Sequence, residues 1–211
     1  MNKEKNVIDF YVTCNKLKNT IRTGWINWNV SKERVESVAE HVFSTQMLAL
    51  AIYSEYEYDI DIKKVLYMLA IHELGETIIG DITMFQMNTQ EKEKIEHEAV
   101  HSILSSLING EYIEELFLEF DSHSTKEALF AYHCDKLEAD LQAKIYDEEG
   151  YVDLKNQENN STANDPQVKR LLDNGESFGT MWMKFSLDRY GYDENFSSIS
   201  NYAINNKILK K

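Results

Sequence analysis

The stretch that decides the fold is residues 60–81, IDIKKVLYMLAIHELGETIIGD. Apolar residues and a histidine recur in it at helical spacing i, i+3, i+4 and i+7, namely Val65, Met68, Leu69 and His72. This spacing predicts a core helix that carries the imidazole of His72 on its buried face, with Glu76 one turn further along. Burying a histidine beside Glu73 and Glu76 is costly, and a bound cation would offset that cost. A histidine beside an acidic residue at a helix end is more often a hydrogen-bonded terminus than a metal ligand. The stretch alone therefore makes a metal site a candidate, and the rest of the sequence has to support it.

The composition points to one α-helical domain. The chain has 211 residues, of which 43% are hydrophobic, with a single proline and eight glycines, so long segments run without a helix breaker. No alternating stretch of convincing length predicts a strand. We expect an all-α helical bundle whose core spans residues 1–150, with residues 151–211 as a loop and helical extension packed on the same domain.

The formal net charge of -14 excludes broad classes of partner. Phosphate backbones and anionic membranes are bound by clustered basic residues, so we expect neither a nucleic-acid polymer nor a membrane as partner. The two cysteines, Cys14 and Cys134, have no paired spacing, and the chain carries no apolar leader or membrane-spanning stretch. These features predict a cytoplasmic protein.

A second histidine lies on a helix predicted for residues 33–56. His41 interrupts the otherwise apolar face of this helix. Alone, such a residue is more often a hydrogen-bonded core histidine than a metal ligand. Because short connections make successive helices neighbours, His41 and His72 are expected to converge.

A further helix, predicted for residues 125–148, brings in the last acidic candidates. Its apolar stripe consists of Phe130, Cys134, Leu137 and Leu141. Asp135 flanks this stripe and can point inward, whereas Asp140 is expected on the solvated face. Lys136, next to Asp135, is a candidate phosphate-binding cation, and an exposed lysine fits the pattern equally well.

A different motif supports a rival function. Residues 97–101, HEAVH, spell the H-E-x-x-H signature of zinc metalloproteases, in which His97, Glu98 and His101 would act. The strongly charged sequence before His97 indicates a partly solvated surface helix. The extended form of the motif needs a histidine at position 107, which is Leu107 here. The protease remains the less favoured alternative.

The order of His41, the pair His72 and Glu73, and a late Asp135 resembles the HD superfamily of metal-dependent phosphohydrolases. The branch most similar is that of the 5′-deoxynucleotidases. Its spaced motifs are matched by Arg22 to Trp25 (RTGW), Glu36 to Val38, His41, His72 to Glu76, and Gly80-Asp81. The resemblance covers most of residues 17–146. One departure is Glu73, which stands where the family has an aspartate and carries its carboxylate on one more methylene.

The resemblance implies a divalent-metal-dependent phosphomonoesterase acting on nucleoside or deoxynucleoside 5′-monophosphates, and a homodimer. The implied metal ligands are His41, His72, Glu73 and Asp135. This mixed nitrogen and oxygen set favours Mn, Co, Fe or Ni, with Mg and Zn as alternatives. A catalytically weak nucleotide-binding or regulatory module is the main alternative, because Glu73 departs from the family pattern.

The same resemblance suggests roles for the neighbouring residues. Glu76 is the candidate to orient or deprotonate the attacking water, and Asp81 is expected to contact a sugar hydroxyl or to support a ligand. Arg22 presents a planar fork of donors suited to a phosphate, with Lys136 as a second cation. Trp25 is a candidate to stack on the nucleobase, and packing within the protein is its structural alternative.

Overall fold

The secondary structure of the computed structural model is helical. The model describes residues 2–31, 33–83, 86–158 and 160–210. Lys32 and Asn159 lie outside these ranges, and Asn159 belongs to the loop and helical extension predicted for residues 151–211. Within them no strand forms, and an isolated antiparallel bridge pairs Ile21 with Ser37. The all-α prediction is confirmed.

The helices divide the chain into short, closely connected segments. In chain order they are α1 (Lys3–Cys14), α2 (Thr23–Asn27), α3 (Val38–Glu55), α4 (Ile62–Ile71), α5 (Glu76–Ile79), α6 (Thr89–Leu104), α7 (Gly110–Ser122), α8 (Lys126–Glu149), α9 (Pro166–Asp173), α10 (Phe178–Arg189) and α11 (Glu194–Asn205). Two 3₁₀ helices span Asn15–Lys18 and Thr162–Asn164. No helix in the described ranges has the length and apolar character needed to cross a membrane.

The stretch 60–81 folds into a helix, a tight turn and a second short helix. The Asp61 side chain caps the start of α4 by accepting from two backbone amides. After α4 ends, the Leu74 amide donates to the Ile71 carbonyl at 2.9 Å, and the Glu76 amide donates to the Glu73 carbonyl at 3.1 Å. The predicted helix therefore ends before Glu76, which begins α5.

Two glycines shape the segment around α5. A Cβ atom on Gly75 would lie 2.6 Å from Cγ of Glu96, so the turn approaches α6 more closely than a larger residue would allow. Gly80 has a φ of +74°, a left-handed conformation that favours glycine, and it ends α5. Gly75 thus allows the close approach before α5, and Gly80 allows the turn after it.

The chain forms two compact units. The first consists of Met1–Thr23 and Glu36–Tyr132, and the second of Gly24–Val35 and His133–Lys211. Helix α8 begins in the first unit and continues in the second. The boundary at residue 150 drawn from the sequence stays a prediction.

In the first unit, α4 packs against α3 and α7, and α6 packs against α5 and α7. Their buried apolar side chains include Val38, Ile52, Val65, Met68, Leu69, Val100, Leu104, Leu116 and Phe117. Ser37 begins α3 with a capping box, in which Ser37 and Glu40 each accept from the other's backbone amide. The helix that carries His41 is thus held at its amino end and along its buried face.

In the second unit, the segment after Thr23 supplies large aromatic side chains to the core. The core cluster contains Trp25, Trp28, Val30, Ala143, Tyr146, Val168, Phe178 and Met181. The Tyr146 hydroxyl donates to the Arg34 carbonyl at 2.9 Å. The segment from 24 to 35 is therefore fixed by burial as well as by backbone contacts.

Asp140 corrects the expectation of a solvated acidic face on α8. It is 1% exposed, and its carboxylate accepts hydrogen bonds from the hydroxyls of Ser186 and Tyr192. The expectation was wrong because α8 is covered on more than its apolar stripe by residues that follow it in the chain. Burial raises the pKa of Asp140 to about 8, although hydrogen bonds from Ser186 and Tyr192 oppose the rise.

This burial predicts a specific pH dependence of stability. A carboxyl whose pKa is raised on folding stabilises the protein fully below its unfolded pKa, and this contribution is lost as the pH rises toward about 8. Asp140→Asn cannot ionise, so its free energy of unfolding should fall less between pH 5 and 8 than that of the wild type. We expect the fall in the free energy of unfolding between pH 5 and 8 to be smaller in Asp140→Asn than in the wild type by on the order of 2 kcal/mol.

Urea unfolding at several pH values measures this difference. Asp173→Asn, on the exposed part of α9, is the matched control and should follow the wild type. Identical pH profiles for Asp140→Asn and the wild type would contradict the buried, protonated state of Asp140.

Candidate metal centre

His72 is held in the tautomer that a metal ligand needs. It is the C-cap residue of α4, and its Nδ1 lies 2.8 Å from the Leu69 carbonyl oxygen. Because a carbonyl oxygen only accepts, Nδ1 carries a proton, and in the neutral imidazole Nε2 then keeps the lone pair that a metal needs. Nε2 of His72 faces Nε2 of His41 at 3.4 Å. The two imidazoles predicted to converge do so.

Glu73 completes a group of three potential metal ligands within the first unit. Its Oε1 lies 3.7 Å from Nε2 of His41 and 3.7 Å from Nε2 of His72. The ligand atoms of the three residues all lie within 4.8 Å of one another. His41 is fully buried. Two imidazole nitrogens and a carboxylate oxygen at these separations fit a divalent cation.

Arg22 contacts this group directly. Its Nη1 donates to Oε1 of Glu73 at 3.0 Å, and its backbone amide donates to the Glu36 carbonyl beside the start of α3. Burial alone would lower the pKa of Arg22, but Glu73, Asp81 and Glu36 raise it, and the net effect is a rise. The guanidinium is therefore a permanent positive charge beside the candidate ligands.

Glu76 is a buried carboxylate with spare hydrogen-bonding capacity. It is 2% exposed, and its Oε2 has no hydrogen-bond partner among the residues that the structure describes. Burial, together with Glu73 and Asp81, raises its pKa, while Arg22 and Lys92 lower it. A buried oxygen without a hydrogen-bond partner in the protein is normally satisfied by a proton, a water molecule or a cation. Glu76 thus supports the fit of a cation site, because a bound cation would oppose the rise in its pKa and favour the ionised carboxylate that can accept a proton.

Asp81 anchors the segment that carries Arg22. Its carboxylate accepts from the Thr23 amide, and its backbone carbonyl accepts from the Thr23 hydroxyl at 2.7 Å. These contacts tie the residue after α5 to the start of α2. A contact of Asp81 with a sugar hydroxyl stays a prediction.

Asp135 and Lys136 lie on the part of α8 that belongs to the second unit. Asp135 is buried, and Lys136 Nζ donates to its Oδ2 at 2.7 Å. The same ammonium lies 5.9 Å from the ring centroid of Tyr190. Lys136 is therefore engaged within its own unit, and its phosphate contact stays a prediction.

Trp25 does not present its ring for stacking in this structure. It is 2% exposed, and its ring centroid lies 5.4 Å from that of Tyr146 and 4.9 Å from that of Trp182. A nucleobase would have to displace these aromatic partners. These contacts fit the alternative role, packing in the core of the second unit, and stacking on a nucleobase stays a prediction.

The two histidines of the H-E-x-x-H motif pair with separate carboxylates. Nε2 of His97 lies 2.8 Å from Asp121 Oδ2, and Nδ1 of His101 lies 3.0 Å from Glu114 Oε1. Neither belongs to a cluster of potential metal ligands within the described ranges. The arrangement is that of two interhelical pairs between α6 and α7, and it gives the protease alternative no metal site.

Sequence reasoning missed Lys92 and Glu96. Both belong to the charged segment before His97, for which the sequence predicts a partly solvated helix. The side chain of Lys92 is only 28% exposed, however, and Glu96 lies against Gly75. Burial raises the pKa of Glu96 to about 7. The sequence contains a pattern that indicates this burial. Lys92, Glu96 and the buried Ala99 follow i, i+4, i+7 spacing and so share one face of α6.

Comparison with known proteins places this geometry in a family. The model of the HD domain matches residues 14–173. The 5′-deoxynucleotidase HDDC2 of Dictyostelium discoideum is 34% identical over 152 residues, which cover 68% of this chain and 79% of that protein. The 5′-deoxynucleotidase hdd1 of Schizosaccharomyces pombe is also 34% identical over 152 residues, covering 69% of this chain and 74% of that protein.

Solved structures agree in fold. A conserved hypothetical protein from Pyrococcus furiosus matches with a TM-score of 0.65 and 27% identity, over 94% of this chain and 99% of that one. A predicted metal-dependent phosphohydrolase from Magnetospirillum magnetotacticum matches in fold with a TM-score of 0.68 at 19% identity, over 97% and 95% of the two chains. The resemblance seen in the sequence motifs is thereby confirmed, and the chain belongs to the HD domain family.

Proposed function

We propose that this protein is a divalent-metal-dependent phosphohydrolase that cleaves deoxynucleoside 5′-monophosphates to deoxynucleosides and phosphate. The observation that carries the proposal is the convergence of His41, His72 and Glu73 on one point, with the lone pair of His72 Nε2 directed at it. Membership of the HD domain family and similarity to proteins named 5′-deoxynucleotidase support the reaction and the substrate class.

We further propose that Asp135 is the fourth ligand. Two observations support this assignment. The family resemblance implies it, and the carboxylate of Asp135 is buried and accepts a hydrogen bond from Lys136 on α8. When bound, a divalent cation lowers the pKa of water and neutralises charge that develops on the phosphoryl group. The mixed donor set favours Mn, Co, Fe or Ni.

The residues around the three ligands bind the phosphate, accept a proton and position a neighbouring side chain. Arg22 binds non-bridging phosphoryl oxygens through its guanidinium, which lies next to Glu73. Glu76 takes a proton from the attacking water, whose oxygen bonds to phosphorus as the bond from phosphorus to the 5′ oxygen breaks. The 5′ oxygen takes up a proton as it leaves, so the products are the deoxynucleoside and phosphate. Asp81 positions Arg22 by holding Thr23.

Glu73 supports a second candidate function. Its longer side chain stands where the family has aspartate, and its Oε1 already receives a hydrogen bond from Arg22 at 3.0 Å. A nucleotide-binding module with weak catalysis would use the same residues, and it would bind nucleotides without releasing phosphate.

We also propose that the protein is a cytoplasmic homodimer that binds neither nucleic-acid polymers nor membranes. The free thiols of Cys14 and Cys134 fit a reducing compartment. Exposed apolar side chains on α1, among them Val7, Ile8 and Tyr11, are available for a contact with a second copy. The net charge of -14 opposes binding to polyanions.

A substrate panel tests the proposed reaction. The protein is stripped of metal, reloaded with Mn, Co, Ni, Fe, Mg or Zn, and given nucleoside and deoxynucleoside 5′- and 3′-monophosphates and sugar phosphates. We expect metal-dependent phosphate release that is fastest with deoxynucleoside 5′-monophosphates. Nucleotide binding without release at any metal would favour the binding module.

Arg22→Ala should mainly raise KM. Loss of a charged hydrogen bond to phosphate corresponds to a roughly 10- to 100-fold rise in KM for 5′-monophosphates, with a smaller change in kcat. Steady-state kinetics measure both constants. Arg34→Ala removes an exposed arginine and is the control. An unchanged KM in Arg22→Ala would remove the phosphate role.

A further inference from the structure

Lys92 is a basic residue of α6 that reaches the candidate metal centre. Its side chain is 28% exposed, and its Nζ lies 3.8 Å from Oε1 of Glu76. Its charge also interacts with the carboxylates of Glu73 and Asp81. Nothing in the reaction described above uses this ammonium.

The position of Lys92 depends on the turn between α4 and α5. Gly75 lets that turn lie directly against α6, because a Cβ atom there would meet Glu96 Cγ at 2.6 Å. Lys92 precedes Glu96 by one helical turn, on the same face of α6. Asn88 caps the helix by accepting from the Glu91 amide at 2.9 Å. The close approach of turn and helix thus brings the ammonium within reach of Glu76.

Electrostatics explain why a second cation is needed beside Arg22. The substrate phosphate carries about two negative charges near neutral pH. It must enter a site with Glu73, Glu76 and Asp81 on a chain of net charge -14. Arg22 is already bonded to Glu73 at 3.0 Å, whereas the 3.8 Å separation between Lys92 and Glu76 exceeds a normal hydrogen bond. The Lys92 ammonium therefore lies close to the acidic groups and retains donors for an incoming anion.

We propose that Lys92 binds the phosphoryl group of the substrate together with Arg22, as a second phosphate-binding residue. The inference rests on the proposed function for the identity of the substrate. Arg22 supplies a planar fork, and Lys92 supplies a compact charge on a flexible stem. The two cations approach from different segments, Arg22 from the start of α2 and Lys92 from α6. A role limited to neutralising Glu76 or Glu96 would leave phosphate affinity unchanged.

Calorimetric titration with inorganic phosphate tests Lys92 without requiring turnover. The manganese-loaded proteins compared are the wild type, Lys92→Met, Lys92→Arg and Lys94→Met, the last removing an exposed lysine of the same helix. We expect Lys92→Met to bind phosphate at least 10-fold more weakly, at unchanged manganese content, since a charged hydrogen bond contributes about that factor. Lys92→Arg should recover most of the affinity, and Lys94→Met should match the wild type.

The inference would be overturned by no phosphate binding in the wild type, by equal affinity in Lys92→Met, or by an equal loss in Lys94→Met. The inference would also be overturned if Lys92→Met lost phosphate affinity together with melting temperature or manganese content, and Lys92→Arg did not recover that affinity. Phosphate binding that depends on Lys92 in a protein that hydrolyses no nucleotide would support Lys92 and contradict the proposed function. Nucleotide hydrolysis with an unchanged KM in Lys92→Met would support the proposed function and contradict the phosphate-binding role of Lys92.

Discussion

His72→Ala should lose both its metal and its phosphohydrolase activity while it keeps nearly all of its helical content. His72 Nε2 faces His41 Nε2 at 3.4 Å, with its tautomer fixed by the Leu69 carbonyl. Removal of a direct ligand should weaken metal binding by more than the roughly 10- to 100-fold caused by loss of a residue that only orients a ligand. The helices remain because α4 is held by its own buried apolar face and by the Asp61 cap.

The measurements are metal content by mass spectrometry, phosphate release, and circular dichroism. The double variant His97→Ala and His101→Ala is the matched control, because it removes two imidazoles from α6 that pair with Asp121 and Glu114. It should retain metal and turnover. The reverse pattern, with metal lost in the double variant and kept in His72→Ala, would contradict the assigned centre.

Glu76→Gln should have the second largest effect, a fall in kcat of roughly 10²- to 10⁴-fold with metal content retained. The buried Oε2 of Glu76 has no hydrogen-bond partner among the described residues, and the proposed role of this carboxylate is to take a proton from water. Glutamine keeps the shape and loses the basicity. KM should change little, because Glu76 does not bind the phosphate.

Steady-state kinetics and metal analysis together separate this role from metal binding. Glu98→Gln, an exposed residue of α6, is the control and should behave as the wild type. A Glu76→Gln variant with wild-type kcat would show that another group accepts the proton. Loss of metal in that variant would instead assign Glu76 to the ligand set.

Local sequence spacing was enough to predict the part of the centre that lies on α3 and α4. His41 and His72 each occupy a position of an apolar helical face, and the short connection between the two helices makes them neighbours. Glu73 was a candidate because it directly follows His72 at the end of the same core helix. The turn after His72 was not predictable from periodicity, because it depends on the close contact between Gly75 and Glu96 on another helix.

Two side-chain environments that the sequence did not predict depend on contacts distant in the sequence. Asp140 looked solvated because its partners, Ser186 and Tyr192, follow it by 46 and 52 residues. Trp25 looked available to a ligand because the side chains that cover it, Tyr146 and Trp182, come from α8 and α10. Burial by remote helices leaves no local periodic signal.

The central claim is that a metal held by His41, His72 and Glu73 supports hydrolysis of a deoxynucleoside 5′-monophosphate. The most direct test titrates metal-stripped wild-type protein with manganese and measures bound metal and phosphate release in the same samples. We predict no release from the stripped protein, and release that rises in proportion to bound metal until the site is full. Release that is unchanged by stripping, or that bears no relation to bound metal, would contradict the claim.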